Sequence, residues 1–318
     1  MTVTAPASSQ PVVVSSSSAA PAGNRPAIVA VTTAGALVTL NQSDGAVSGT
    51  LVPGGVLGDE ISVSPDGSTV YFAAGHGCTS QIESVPVSGG TPTVLGTGRL
   101  PAVSPDGHSV AFATEPTLTT ACLTGQQIAA SDYTLVIRNL TSGTQKVLSL
   151  PPQIGRSGLF PPISHLSWAA DDVTLAVSTL AVQDNEGWGL YLVNSAAASY
   201  YVPPGPGVRI VPVTGAPDAQ RSYLREGVFL PDGNLFVSRA CCGGVPPHNT
   251  SRLMWEVAQD GALVHQVAIG YPNLDHVSLA ADPSGNWLLY LAGHDLYVSH
   301  GGATPVRLGT GFVAAAWV

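Results

Sequence analysis

The residues best suited to chemistry in this chain are acids, arginines and histidines that precede a recurring turn. Each copy of the turn carries Pro-Asp-Gly or a variant of it, and polar groups stand a few residues before the copies. Charged residues make up only 10% of the chain, so their concentration at one repeated position is informative. The candidate ligand-binding residues are Asp59, Glu60, Arg99, His165, Arg225, Glu226, Asp275 and His276.

Two interpretations of this set stay open. Buried charged groups are unfavourable unless they pair with each other or bind something. A polar pocket would use them to hold a small ligand, a metal ion or a side chain of a partner. A self-satisfied ring of ion pairs would instead join Arg99 and Arg225 to Asp59, Glu60 and Glu226.

A catalytic or metal-binding role has weaker support. His165 and His276, with Glu60 or Glu226, could ligate a divalent metal or act as general acid and base. The sequence lacks Gly-x-Ser-x-Gly, His-Glu-x-x-His and a phosphate-binding glycine loop. We therefore predict no cofactor and no resident metal, and we assign no catalytic residue. A lyase or hydrolase that uses these groups, with or without a divalent metal, is the alternative to a binding protein.

The four cysteines predict disulfides. None has the Cys-x-x-Cys spacing of a zinc site, and we expect Cys78 to pair with Cys122 and Cys241 with Cys242. The alternatives are free thiols, or a purely structural turn at the adjacent pair. Disulfides indicate an oxidising compartment, so an extracellular or periplasmic location is expected.

The elements that must position these residues are repeats. Ser-Pro-Asp-Gly at 64–67 and again at 104–107 is followed each time by a strand-like apolar run. Looser copies occur at 170–172, 231–233 and 283–285. Asp-Gly suits a tight hairpin because glycine accepts positive φ and the aspartate caps the turn. A strand–turn–strand phrase at this period predicts a repeat architecture.

Each repeat is predicted to contain four strands, A to D, with the turn between A and B. The predicted strands are 60–64, 69–74, 81–87 and 91–95; 100–104, 109–114, 133–139 and 144–149; 164–169, 173–179, 188–194 and 198–202; 224–230, 234–239, 252–258 and 263–269; 276–282, 286–291, 294–299 and 304–308. Runs at 27–31, 36–40 and 49–52 lack a strand A, which 311–318 can supply. The prediction is an all-β, six-bladed propeller whose ring closes between the chain ends.

The phrase resembles the WD40-like repeat of the TolB propeller family. The resemblance covers nearly the whole chain after residue 26 and implies a six-bladed propeller. That family includes binding, scaffolding and enzyme-associated members, so the fold alone does not fix an activity. We expect the sensor or interaction domain of a secreted or membrane-anchored bacterial protein, binding a small molecule or a protein.

The short A–B turns are predicted to be structural, and the longer loops at the other end to carry function. The longer loops are the B–C connections 115–132, 180–187 and 239–251 and the D–A connection 203–223. All four cysteines fall in B–C connections. The ligand or partner is therefore expected at the end of the channel that the B–C and D–A loops surround.

Composition excludes two classes of partner. Eleven Lys and Arg against twenty Asp and Glu, with a net charge of −9, do not make a nucleic-acid or anionic-membrane surface. Residues 1–25, rich in Ser, Ala and Pro, are predicted to be a flexible stalk or linker before a propeller domain at 26–318. No run reaches the ~18 apolar residues of a membrane span, and a tether outside this chain and a monomeric state are expected.

Overall fold

The computed structural model describes ten segments of the chain, which together trace every blade of the ring. These segments are 27–75, 79–114, 134–149, 163–179, 189–196, 208–211, 222–241, 252–271, 279–300 and 305–318. Within them the regular structure is organised as six four-stranded antiparallel sheets. None of these segments holds a helix that is long and apolar enough to cross a membrane.

Blades one to three follow the predicted order. Blade one contains β1 (Ile28–Thr32), β2 (Leu37–Leu40) and β3 (Val47–Val52). Blade two contains β4 (Val56–Val63), β5 (Thr69–Ala74), β6 (Gln81–Pro86) and β7 (Thr93–Thr97). Blade three contains β8 (Arg99–Val103), β9 (Ser109–Thr114), β10 (Thr134–Asn139) and β11 (Gln145–Ser149).

Blades four to six complete the ring. Blade four contains β12 (Ile163–Trp168), β13 (Thr174–Thr179), β14 (Gly189–Asn194) and β15 (Val208–Ile210). Blade five contains β16 (Ser222–Phe229), β17 (Leu235–Cys241), β18 (Arg252–Val257) and β19 (Leu263–Tyr271). Blade six contains β20 (Leu279–Ala281), β21 (Trp287–Ala292), β22 (Asp295–His300) and β23 (Val306–Thr310), and β24 (Phe312–Trp317) follows it.

The ring closes as predicted, through the last strand. β24 pairs antiparallel with β1, with Ile28 opposite Trp317, and so becomes strand A of blade one. Val318 N donates to the carbonyl of Ala27 at the end of this pair. Because both chain ends share one sheet, blade one has no unpaired inner edge.

One strand assignment was wrong. The fourth strand of blade four is Val208–Ile210, which pairs Ile210 with Tyr191, and not the predicted run at 198–202. Two tyrosines and a valine at 200–202 have high strand propensity, but propensity does not decide which run hydrogen-bonds to a neighbouring strand. The predicted long D–A connection at 203–223 therefore contains this strand.

The hydrophobic core lies between blades. Six clusters of buried side chains each join two neighbouring blades, including the closing contacts of blade one with blades six and two. The inner strands are also tied by polar bonds: Trp168 Nε1 donates to the Ala102 carbonyl (2.9 Å) and Trp317 Nε1 to the Ala280 carbonyl (3.3 Å). This packing makes the inner strands a continuous wall around the channel.

The recurring turn also joins the blades. Asp66 Oδ1 accepts from Ser68 N (3.0 Å), and Gly67 has φ +69, which a residue with a side chain adopts at a cost. A Cβ on Gly107 would lie 3.5 Å from Pro65, and one on Gly285 would lie 2.8 Å from Pro231. The glycine of these turns therefore packs against the proline of the turn in the preceding blade.

Candidate functional site

The candidate site is built on strands A, where β-bulges interrupt the pairing with strands B. The register shifts between Val56 and Ile61, between Ile163 and His165, and between Leu224 and Glu226. Bulges redirect side chains and are common beside functional sites. Glu60 is the last residue before pairing resumes, and His165 and Glu226 are the first residues that pair again. The three stand five residues before Pro65, Ala170 and Pro231 respectively.

Glu60 and His165 meet across the channel, from blades two and four. Glu60 Oε1 lies 2.7 Å from His165 Nδ1, and Glu60 Oε2 accepts a long bond of 3.4 Å from Leu166 N. The two residues are 8% and 4% exposed. A buried carboxylate against an imidazole makes a charge-assisted contact, and this contact ties β4 to β12.

The environment of His165 favours its protonated form. Burial alone would lower the pKa of His165, but the charge and hydrogen bond of Glu60 and the charge of Glu226 outweigh it, so the pKa is raised. Its Nε2 is buried and has no hydrogen-bond partner among the described residues. With Nδ1 given to Glu60, Nε2 is the ring nitrogen left for a further hydrogen bond.

Blade three has an apolar residue at the position that Glu60 and His165 occupy in blades two and four. Leu100 occupies the position equivalent to Glu60, with φ +58, a left-handed conformation that is unusual for a leucine. Arg99 begins β8 one residue earlier and is partly exposed. An ion pair at this level joins Glu60 to His165, a pairing that neither interpretation of the sequence named.

The other predicted site residues divide into two groups. Asp59 and Arg225 lie on β4 and β16, next to Glu60 and Glu226, and their side chains are outside the described residues. Asp275 and His276 lie outside the described residues entirely. The structure therefore brings together Glu60, His165 and Glu226 from the predicted set.

The cysteines lie beyond what the structure describes. Cys78, Cys122 and Cys242 are outside the described residues, and Cys241 ends β17 with its side chain undescribed. Both disulfides stay predictions. Within the described segments no three His, Cys, Asp or Glu side chains are placed to hold a metal ion.

A cavity of about 380 Å³ fills the channel between Glu60–His165 and the A–B turns. All six inner strands contribute to its wall, with Val63, Trp168 and Phe229 among the apolar groups. Exposed Pro65 and Pro231 mark its rim at the turns. No function was expected at the A–B turn end of the channel, because short repeated turns look purely structural.

Six four-stranded antiparallel sheets around one channel define a six-bladed β-propeller. The chain has the TolB-type propeller fold. It superimposes on TolB from Acinetobacter baumannii with a TM-score of 0.62 and 14% identity, over 92% of this chain and 65% of that one. The chain thus spans less than two thirds of that TolB.

Two further solved structures are similar. A putative TolB from Agrobacterium tumefaciens gives a TM-score of 0.57 at 14% identity, over 91% of this chain and 92% of the other. An oligogalacturonate lyase from Vibrio parahaemolyticus gives 0.52 at 13% identity, over 89% and 79%. At these identities the similarity shows the fold alone. No protein-family model and no curated protein sequence matches the chain.

Proposed function

We propose that this protein is a binding propeller that takes part of a ligand or of a partner protein into the channel from the A–B turns. The observation that carries the proposal is the channel cavity, which is rimmed by exposed turns and ends at the buried Glu60–His165 pair. A volume of about 380 Å³ lies in the range typical of ligand pockets. It accommodates a side chain or a short extended segment, not a folded domain.

The chemistry of the cavity suits recognition. Val63, Trp168 and Phe229 offer apolar surface, and a few serines and Asp282 add polar side chains to the wall. Glu60 and His165 form a charged pair at the inner end of the cavity. Apolar walls with few placed polar groups give affinity through burial and orientation through the polar groups.

An oxidising location is part of the proposal. The four cysteines and their expected pairing support an extracellular or periplasmic site of action. A secreted or membrane-tethered sensor or interaction domain fits a rigid ring with a pocket at one end. Peptide mapping of the non-reduced protein, which shows whether the thiols are paired as expected, tests this part of the proposal directly.

A cross-linking experiment tests the pocket. A photo-reactive amino acid replaces His108, which is 68% exposed on the A–B turn of blade three. The matched control replaces Val94, 53% exposed on the outer strand of blade two. The proposal expects a discrete adduct from position 108, absent from position 94 and lost when Ala281→Phe enlarges a half-buried side chain of the cavity wall. Equal adducts at both positions, or an adduct insensitive to Ala281→Phe, would overturn it.

The second candidate is an enzyme that uses the channel pair. A buried carboxylate holding an imidazole is the arrangement of a general base with its positioning partner, and a similar fold occurs in an oligogalacturonate lyase. Cleavage of oligogalacturonate, followed by the ultraviolet absorbance of an unsaturated product, tests this candidate. Activity lost in His165→Ala and kept in His108→Ala would establish it, and absence of activity in the wild type removes it.

A further inference from the structure

Aspartates surround the mouth of the channel. Every A–B turn that the chain forms through the recurring phrase or its variants carries at least one: Asp66, Asp106, Asp171, Asp172, Asp232 and Asp282. The C–D turns lie at the same end of an antiparallel blade, and they add Asp44 and Asp260. No lysine or arginine occurs in these A–B turns. The end of the propeller at which the pocket opens is therefore acidic.

Several of these carboxyl groups are held in the ionised form. Hydrogen bonds from Ser64 and Ser68 lower the pKa of Asp66 to about 2. Bonds from Ser104 and the His108 amide lower the pKa of Asp106. Partial burial opposes the shift at Asp171, but bonds from Thr174 and Val173 still lower its pKa. The negative charge at the mouth therefore persists well below neutral pH.

Turn geometry does not require this charge. Asparagine caps such turns as aspartate does, because the acceptor is one side-chain oxygen two residues before the amide. The chain itself uses this device at Asn41, whose Oδ1 accepts from Ser43 N (2.9 Å). Neighbouring carboxylates of like charge repel each other, and this repulsion is a cost unless a partner supplies the opposite charge.

The inner end of the pocket gives a second, independent indication of a guest. His165 lines the cavity, is 4% exposed, and its Nε2 has no hydrogen-bond partner among the described residues. The raised pKa makes Nε2 a donor, so it suits an uncharged acceptor such as a peptide carbonyl. A carboxylate guest would be repelled at the acidic mouth.

We infer that the occupant of this face is a basic, extended segment of a protein, with lysine or arginine side chains on the aspartates and backbone in the channel. This inference rests on the proposed function and names the chemistry of its partner. Arg138 and Lys146 lie on β10 and β11 of blade three, beside its C–D turn and not in the A–B turns. Lys146 already donates to the Ser195 carbonyl (2.9 Å). Neither basic residue belongs to an A–B turn, so the A–B turns remain acidic.

Peptide binding tests the inference. A fluorescent oligolysine and an oligoglutamate of equal length are titrated with the protein, and anisotropy is followed at low and at physiological ionic strength. Oligolysine should bind, more weakly as salt rises, and oligoglutamate should not. Asp66→Asn with Asp106→Asn keeps an acceptor oxygen in both turns and should weaken binding about threefold to tenfold, as expected for two exposed ion pairs.

The control removes the same charge elsewhere. Glu83→Gln with Asp295→Asn changes acids on β6 and at the start of β22, away from the A–B turns, and should leave the affinity for oligolysine nearly unchanged. No binding of oligolysine, or equal weakening by both double variants, overturns the inference. A position-108 adduct that Ala281→Phe abolishes, without binding of oligolysine that depends on Asp66 and Asp106, leaves the proposed function standing. If the binding of oligolysine depends on Asp66 and Asp106 but no such adduct forms, binding inside the channel is overturned. The acidic surface at the turns then remains as the binding site.

Discussion

One buried pair of side chains carries the charge inside the channel. His165 and Glu60 come from different blades, and their 2.7 Å contact holds a charge at the inner end of the cavity. Residue types and spacing placed both side chains at one level of the channel. Their direct pairing depends on the bulges in β4 and β12. Gly58 falls within the first bulge, as strand glycines often do, but no glycine marks the second.

The raised pKa of His165 predicts a dependence of stability on pH. A folded-state pKa above the ordinary value of 6.5 means that folding favours the protonated ring. The contribution is therefore full below pH 6.5 and is lost as the pH rises through the raised value. Thermal unfolding should show this loss in the wild type and not in His165→Gln. His108→Gln, at an exposed histidine, should keep it, and a loss of equal size in His165→Gln would refute the assignment.

The cysteines predict a covalent pattern that mass spectrometry of the non-reduced protein can read. Peptide mapping should find Cys78 joined to Cys122 and Cys241 joined to Cys242. The physical reason is that neighbouring loops at one end of the ring can be stapled, and the glycines after Cys242 suit a sharp turn. Four free thiols in protein from its native compartment would contradict both bonds and the oxidising location.

At the scale of the element, the recurring turn does two tasks. It closes the A–B hairpin, and it packs on the turn of the blade before it, as Gly107 on Pro65 and Gly285 on Pro231 show. The strands were predicted from their distance to these turns. β5 and β9, which directly follow the two full copies of the phrase, have the predicted bounds. In blade four the fourth strand was misplaced because no turn phrase marks it.

The double role predicts unequal costs for alanine at two glycines with positive φ. Gly285→Ala meets both a φ of +71 and Pro231 at 2.8 Å, whereas Gly293→Ala meets a φ of +63 in open space. Backbone strain alone costs ~1–3 kcal/mol, so Gly293→Ala should fall in that range and Gly285→Ala above it. Urea unfolding measures both. Equal losses would mean that the contact between turns adds nothing.

At the scale of the whole molecule, closure is what makes the channel rigid. β24 pairs with β1, and its side chains enter the clusters shared with blades six and two. The fold class and the closing strand were predictable because the repeat count left one strand A missing. The end of the channel with the cavity was not, since it depends on how far each inner strand reaches before its turn.

Two truncations test closure and the domain limits together. Removal of 312–318 takes Phe312, Ala314 and Trp317 out of the core clusters and should abolish cooperative thermal unfolding. Removal of 1–25, the predicted stalk, should leave the melting temperature unchanged. Retained cooperativity in the first variant would contradict closure by β24, and a lower melting temperature in the second would place part of the stalk in the folded domain.

Entry of ligands into the channel at the A–B turns is tested most directly by crystals soaked with a diverse set of small fragments, which assumes no partner. Fragment density should concentrate in the cavity between Pro65, Pro231 and the Glu60–His165 pair. Density that concentrates instead among the B–C loops at the opposite end, with none in this cavity, would contradict it.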